Sequence, residues 1–208
     1  MEIIIEQERA SEFEAVEELI RQAFASEEYS DQTEHQLVKR LRNSKAYVTE
    51  LSLTAKCSDA KLLGHILLTK AWILEGEKSC ETLALAPVSV SPEHQRKGIG
   101  SALINASFER AKQLGFSSVI VLGHPAYYPK FGFEPASRWN IRAPFDVPEE
   151  AFMVIELVPG ALANVSGVVQ YAGEFSTLKK RKRRIGLFLF LIYETAFATS
   201  GAAAGLPK

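Results

Sequence analysis

The segment Gln95-Arg96-Lys97-Gly98-Ile99-Gly100 carries the residue types of an anion-binding turn. A helix N-terminus leaves its first backbone N–H groups without intrahelical partners and concentrates the positive end of the helix dipole, so it suits a pyrophosphate. Gly98 and Gly100 remove side chains where the backbone must approach phosphate oxygens, and Arg96 and Lys97 add positive charge at the rim. The chemistry this predicts is capture of a ligand through its diphosphate.

Such a turn needs a strand leading in and a helix leading out. The run Leu83-Ala84-Leu85-Ala86-Pro87-Val88-Ser89-Val90 reads as the buried strand, and Pro92-Glu93 turns the chain out of it. Ile99, Leu103, Ile104, Ala106, Phe108 and Ala111 mark the helix, which Gly115 ends. Pro87 has no N–H to give to a ladder, so a bulge or opened edge is predicted there and the strand should splay near it. Two other nucleotide turns do not fit. The dinucleotide fingerprint needs a third glycine where Leu103 stands, and a parallel sheet at the start of the chain. The triphosphate loop needs Gly-Lys followed by Ser or Thr, which is absent.

The remaining elements follow from periodicity. Ile3-Ile4-Ile5 is a short strand signal. Ser11 to Glu14 is expected to cap a helix carrying Phe13, Val16, Leu19, Ile20 and Phe24. A second helix runs from Asp31 or Thr33 through Leu37, Val38 and Leu41. Ala46 to Ala55 alternates as a strand and breaks at Cys57-Ser58-Asp59, and Leu62 to Ile73, with Gly64 inside it, is its hairpin partner. Ser118 to Leu122 is a further buried strand, Gly132 caps a single turn before Phe133 starts extended structure, and Phe152 to Val158 closes the ordered pattern. No internal repeat is present. This order predicts a mixed α/β (α+β) fold with a mostly antiparallel sheet, splayed at its centre and flanked by helices, rather than a doubly wound one.

The stretch Val-Ser-Val-Ser-Pro-Glu-His-Gln-Arg-Lys-Gly-Ile-Gly-Ser-Ala-Leu resembles the acetyl-CoA motif of the Gcn5-related N-acetyltransferase (GNAT) superfamily. A second block of that family follows at the expected distance, a strand over Val119 to Leu122 and then Tyr-x-x-x-Gly-Phe as Tyr128 to Phe133. Gly-His-Pro-Ala-Tyr-Tyr-Pro-Lys-Phe-Gly-Phe-Glu-Pro-Ala and the later Val-Pro-Glu-Glu-Ala-Phe-Met resemble the bacterial YhbS-like branch, over about residues 3 to 176. The resemblance implies acetyl transfer from acetyl-CoA, as co-substrate, to a primary amine of a small molecule or peptide, by direct attack in a ternary complex. It implies that the backbone of Val88, Ser89 and Val90 binds the pantetheine arm. Gln95, Arg96, Lys97, Gly98, Ile99, Gly100 and Ser101 would hold the pyrophosphate. Tyr128 stands where family members carry the tyrosine that protonates the departing thiolate, and a phenol suits this role because its reference pKa lies near that of a thiol. The alternative reading is that Tyr128 and Tyr127 are both packing aromatics, and Tyr127 serves as the control. A homodimer is common in the resembling family.

No general base carries over, because Ala84 occupies the strand position where histone-type members place a glutamate. Glu81 and His65 are read as strand-edge residues, leaving a water-relayed base or an amine of low pKa. His124 is left without a role, and His35 and His94 are read as surface residues. No set of His, Cys and acidic side chains has metal-ligand spacing, so no metal is expected.

At 208 residues, 47% hydrophobic and 24% charged, the chain has the composition of one globular domain, and a net charge of -1 gives no overall attraction to nucleic acid or anionic lipid. Cys57 and Cys80 are expected to be reduced, buried small hydrophobes, and no secretory leader is legible, which points to the cytoplasm. The expected domain spans residues 1–176. Residues 177–208 form an extension: Lys179-Lys180-Arg181-Lys182-Arg183-Arg184, then an apolar stretch from Ile185 to Phe197 that is shorter than a membrane span. A rival reading stays open, in which a non-catalytic acyl-CoA-binding or scaffold protein is attached through that tail to membrane or nucleic acid.

Overall fold

A computed structural model describes residues 2–25 and 32–175. The basic and apolar tail lies outside the described residues. Strand β1 (Ile4–Gln7) leads through a short 3-10 turn into helix α1 (Phe13–Phe24) and then helix α2 (Glu34–Leu41). Strands β2 (Tyr47–Lys56), β3 (Leu62–Glu75) and β4 (Lys78–Val90) form a long antiparallel meander. Helix α3 (Ile99–Gln113) and strand β5 (Ser118–Leu122) follow, then the short β6 (Glu134–Pro135) and β7 (Ile141–Arg142), β8 (Phe152–Glu156) and β9 (Gly167–Gln170).

Among the described residues the strands form one sheet in the order β1-β2-β3-β4-β5-β8-β6, with β9 pairing both β3 and β7. Two pairings are parallel, β4 with β5 and β7 with β9, and the others are antiparallel. The fold is therefore the predicted mixed, mostly antiparallel sheet flanked by helices.

Alternation in β2, β3 and β4 sends one set of side chains to each face. Leu53, Ile66, Leu68, Leu83, Leu85, Val88 and Val90 pack under Ile99, Leu103 and Ile104 of α3. On the other face Leu67 meets Val16, Leu19, Ile20 and Phe24 of α1 and Leu37, Val38 and Leu41 of α2. Each fully buried aliphatic side chain of this kind contributes about 1.5–3 kcal/mol, so all three helices are held chiefly by their apolar stripes. Gly64 lets α3 sit close, since a Cβ there would come within 2.8 Å of the Ser89 carbonyl oxygen and 3.0 Å of Leu103 Cδ1.

Some expectations need correction. Ser11 does not cap α1: the helix starts at Phe13, and the Glu12 carboxylate instead accepts the Arg9 backbone N–H at 2.9 Å. β4 starts at Lys78, because residues 75–78 close a tight β3–β4 hairpin around Gly76 at φ +58°. Order does not close at β8. β9 docks beside the second half of β3, Trp72 opposite Gln170, where β2 has already ended. Cys57 and Cys80 are free thiols, as expected, but half-buried rather than buried.

Candidate active site

The predicted strand-turn-helix is present. β4 and β5 share only the parallel register Leu83–Val119 and Ala84–Ile120, beyond which the two strands separate. A register shift on β4 opposite Ile66–Leu68 brackets Pro87, so the bulge lies where the proline predicts it. The separation from β5 begins earlier, after Ala84. Val88, Ser89 and Val90 lie buried on this diverging stretch. Val88 and Val90 point toward α3 and Ser89 toward the opposite face.

At the end of β4 a 3-10 turn, Pro92–His94, carries the chain to Gln95, whose Nε2 donates to the Val90 carbonyl at 3.4 Å. Arg96 at φ +58° and Gly98 at φ +83° then twist the backbone so that Gly98 becomes the N-cap of α3. The first regular helical bond runs from Ala102 N–H to the Gly98 carbonyl, so the N–H groups of Ile99, Gly100 and Ser101 belong to the open first turn. Lys97 folds back to donate to the Glu93 carbonyl at 2.9 Å. Arg96, Lys97 and Gly98 are exposed, Gln95, Gly100 and Ser101 half-buried and Ile99 buried. The helix start lies at the open end of the separated strands, and a helix start of this kind suits an anion.

Tyr128 opens the 3-10 turn Tyr128–Phe131, which Gly132 ends at φ +95°, as predicted. The turn hangs from His124, whose carbonyl accepts the Tyr127 N–H at 2.9 Å and whose Nδ1 accepts the Ala126 N–H at 3.0 Å. His124 thus has a local structural role. The Tyr128 ring is fully buried, edge-on to Phe133 at 5.5 Å and to Tyr127 at 5.2 Å. It fills the space left by Gly123, where a Cβ would lie 2.1 Å from Tyr128 Cε2. Its hydroxyl has no hydrogen-bond partner, and burial, with Tyr127 alongside, pushes its pKa well above the usual 10. The phenol is protonated at any physiological pH: it is a donor that lacks an acceptor.

Tyr127 packs beside the helix start. Its hydroxyl lies 3.2 Å from where a Gly100 Cβ would stand, and it shares a hydrogen bond with the Ser101 side chain. Burial raises its pKa despite that bond, and Lys130 sits 3.9 Å above its ring. The tandem tyrosines therefore differ in place, Tyr127 against the helix start and Tyr128 buried against Gly123 and Phe133. The legible signal was the glycine at 100.

The other sequence candidates separate. Glu81 pairs with Lys70 at 3.0 Å on a part-exposed surface. His65 is not at a strand edge: it lies in the middle of the sheet with no exposure. Its Nε2 lies 3.0 Å from Ser52 Oγ, which also donates to Glu8 Oε2 at 2.6 Å. Arg42 binds both Glu8 oxygens, at 2.6 and 3.3 Å, and reaches Glu17 at 2.7 Å. Burial alone would raise the Glu8 pKa, but His65, Ser52 and Arg42 hold it at about 2. Sequence reasoning missed this cluster. Among the described residues no three His, Cys, Asp or Glu side chains cluster as metal ligands, and no helix is long and apolar enough to cross a membrane.

Comparison with known proteins agrees with this geometry. Residues 13–133 match the model of the Acetyltransferase (GNAT) family, more than half of the chain, and the protein belongs to that family. It is 40% identical over 119 residues to an uncharacterized N-acetyltransferase of Escherichia coli K12, YjhQ, over 56% of this chain and 65%, just under two thirds, of that relative. To a second from the same organism, YhbS, it is 29% identical over 77% of this chain and 91% of the relative. The crystal structure of YhbS in complex with CoA superposes with a TM-score of 0.75 at 25% identity, covering 84% of this chain and 92% of that one. A GNAT family acetyltransferase from Brucella melitensis in complex with acetyl-CoA gives a TM-score of 0.68 at 29% identity over 84% and 98%.

Proposed function

We propose that this protein transfers the acetyl group of acetyl-CoA to a primary amine of a small molecule or peptide, by direct attack within a ternary complex. The observation that carries the reading is the separation of β4 from β5 beyond Ala84, with the open first turn of α3 at its end. The backbone of Val88, Ser89 and Val90 lines one side of that gap and suits the amide-rich pantetheine arm. The turn from Gln95 to Ser101 suits the pyrophosphate, with the helix N–H groups as donors. The CoA and acetyl-CoA bound in the YhbS and Brucella structures support the same assignment.

With the cosubstrate so placed, the chain's work is positioning first and proton movement second. Tyr128 carries a buried O–H without a partner and is suited to donate to the thiolate as it leaves. Its raised pKa keeps the phenol protonated and makes it a reluctant proton donor until a ligand replaces its apolar surroundings. The protein's catalytic domain corresponds to residues 1–176.

The test is calorimetric titration of the full chain with CoA and acetyl-CoA, wild type against a Gly98→Glu, Gly100→Glu double variant and against Arg96→Glu. Micromolar binding by wild type, lost in the double variant and weakened in Arg96→Glu with unchanged melting, is the expected result. A folded wild type that binds neither ligand refutes the reading.

A further inference from the structure

Lys130 is held by aromatic rings rather than by a carboxylate. Its Nζ stands 3.9 Å from the centroid of the Tyr127 ring and 4.9 Å from that of Phe131. Ion pairs among the described residues engage Lys39, Lys56, Lys61, Lys70 and Lys112, and not Lys130. A ring face attracts a cation through its quadrupole but leaves the positive charge uncompensated. Partial burial pulls the Lys130 pKa below its usual value, the mark of an ammonium that has lost some of its water and gained no anion.

Tyr127 ties this cation to the start of α3. Its hydroxyl lies 3.2 Å from where a Gly100 Cβ would stand and shares a hydrogen bond with the Ser101 side chain, and both residues belong to the open first turn. The ring is a platform, with the ammonium over it and the helix start at its hydroxyl end. Tyr127 is buried, but Lys130 and Gly98 are exposed, so a ligand at the helix start meets the ammonium without crossing the core. The turn's own lysine is engaged, because Lys97 Nζ donates to the Glu93 carbonyl at 2.9 Å. A diphosphate diester brings a negative charge on each phosphate, and the helix dipole offers only about half a unit against them.

We propose that Lys130 is a phosphate-binding residue of the acyl-donor site, pairing with the diphosphate at the start of α3, and that Tyr127 is the positioning residue that holds it there. The proposal rests on the transferase reading for the identity of the ligand, while the anion site itself stands on the geometry. A lysine suits this place because its ammonium is a compact charge on a flexible stem. It can leave the ring face for a phosphate oxygen while the stem keeps its contact with Tyr127. An anion beside the ammonium favours the charged form and so reverses the effect of burial.

Two titrations of the full chain test it. With inorganic pyrophosphate followed by NMR, the amide signals of Ile99, Gly100 and Ser101 and the Lys130 Cε signal should move together with one Kd, and the Lys130 pKa should rise at saturation. Lys130→Gln should weaken that Kd about tenfold with melting unchanged, and Lys130→Arg should keep it within about threefold. Amide shifts without a Lys130 shift, or no shifts at all, overturn the proposal. Tyr127→Leu should release the Lys130 Cε protons from their ring-current shift and weaken pyrophosphate binding by a smaller factor, about threefold; an unchanged Lys130 signal removes Tyr127 from the positioning role. In calorimetry with CoA and with dephospho-CoA, which lacks the ribose phosphate, Lys130→Gln should weaken both by about tenfold, because both keep the diphosphate. A loss confined to CoA places Lys130 at the ribose phosphate and overturns the assignment. A wild type whose Lys130 follows pyrophosphate but which binds neither form of CoA keeps the anion site and refutes the transferase reading.

Discussion

Removing one oxygen from Tyr128 should make the protein more stable and less active. The Tyr128→Phe change keeps the ring, its edge-on contacts with Tyr127 and Phe133, and the space beside Gly123, so no cavity forms. It deletes a fully buried hydroxyl that has no hydrogen-bond partner. An unsatisfied buried hydroxyl costs about 1–3 kcal/mol, so we expect a gain of about 1 kcal/mol in urea unfolding, or about 2–4 °C in Tm for a chain of this size. Turnover should fall about 10²-fold if the phenol serves the leaving sulfur. The two effects are linked through the ligand. A bound CoA sulfur gives the wild-type phenol the acceptor it lacks, so CoA should raise the Tm of wild type more than that of the variant. A destabilised variant would mean that the phenol has a partner in the free protein, and a stabilised variant with full turnover would remove Tyr128 from the chemistry.

Gly123→Ala should destabilise by about 1–3 kcal/mol in urea unfolding, because a Cβ 2.1 Å from Tyr128 Cε2 forces the ring aside, and Tyr128→Ala in the same chain should relieve most of that strain; a tolerated alanine would contradict the buried position of the ring. Glu8 has its pKa lowered from 4.5 to about 2, so its contribution is complete above pH 4.5 and lost as pH falls from there toward 2. That contribution is about 3 kcal/mol, so urea midpoints measured across this interval should fall steeply in wild type and less in Glu8→Gln. Gly167→Ala should detach β9: Gly167 has φ +130° and a Cβ would lie 2.1 Å from the Leu74 carbonyl oxygen. The expected cost is above about 2 kcal/mol, with faster amide exchange at Trp72 to Leu74, and unchanged exchange would show that β9 does not depend on this glycine.

Gly98 is at the helix start, Pro87 at the bulge and Gly132 at the end of a single turn because those outcomes depend on a few adjacent residues: backbone freedom at a glycine, a missing N–H at a proline. The same local logic made the amphipathic α1, α2 and α3 and the alternating β2 and β3 readable. It failed where pairing partners are far apart in the chain. β9 is too short and too plain to be seen alone, and exists because β3 outruns β2 and leaves an edge for it at Trp72 to Leu74.

The candidate site divides in the same way. By itself the sequence made the glycine turn at the start of α3 and the break at Pro87 readable, and the family resemblance singled out Tyr128, since each is a contiguous motif. Only the tertiary structure decided that Tyr127 touches the helix start, that Tyr128 is a donor without an acceptor, and that His65 is central rather than at an edge. The Glu8, Ser52, His65 and Arg42 cluster joins residues 44, 13 and 34 positions apart, and no local pattern announces it. Register across three strands and the exclusion of water bring those groups together, and both are properties of the packed sheet rather than of any one segment.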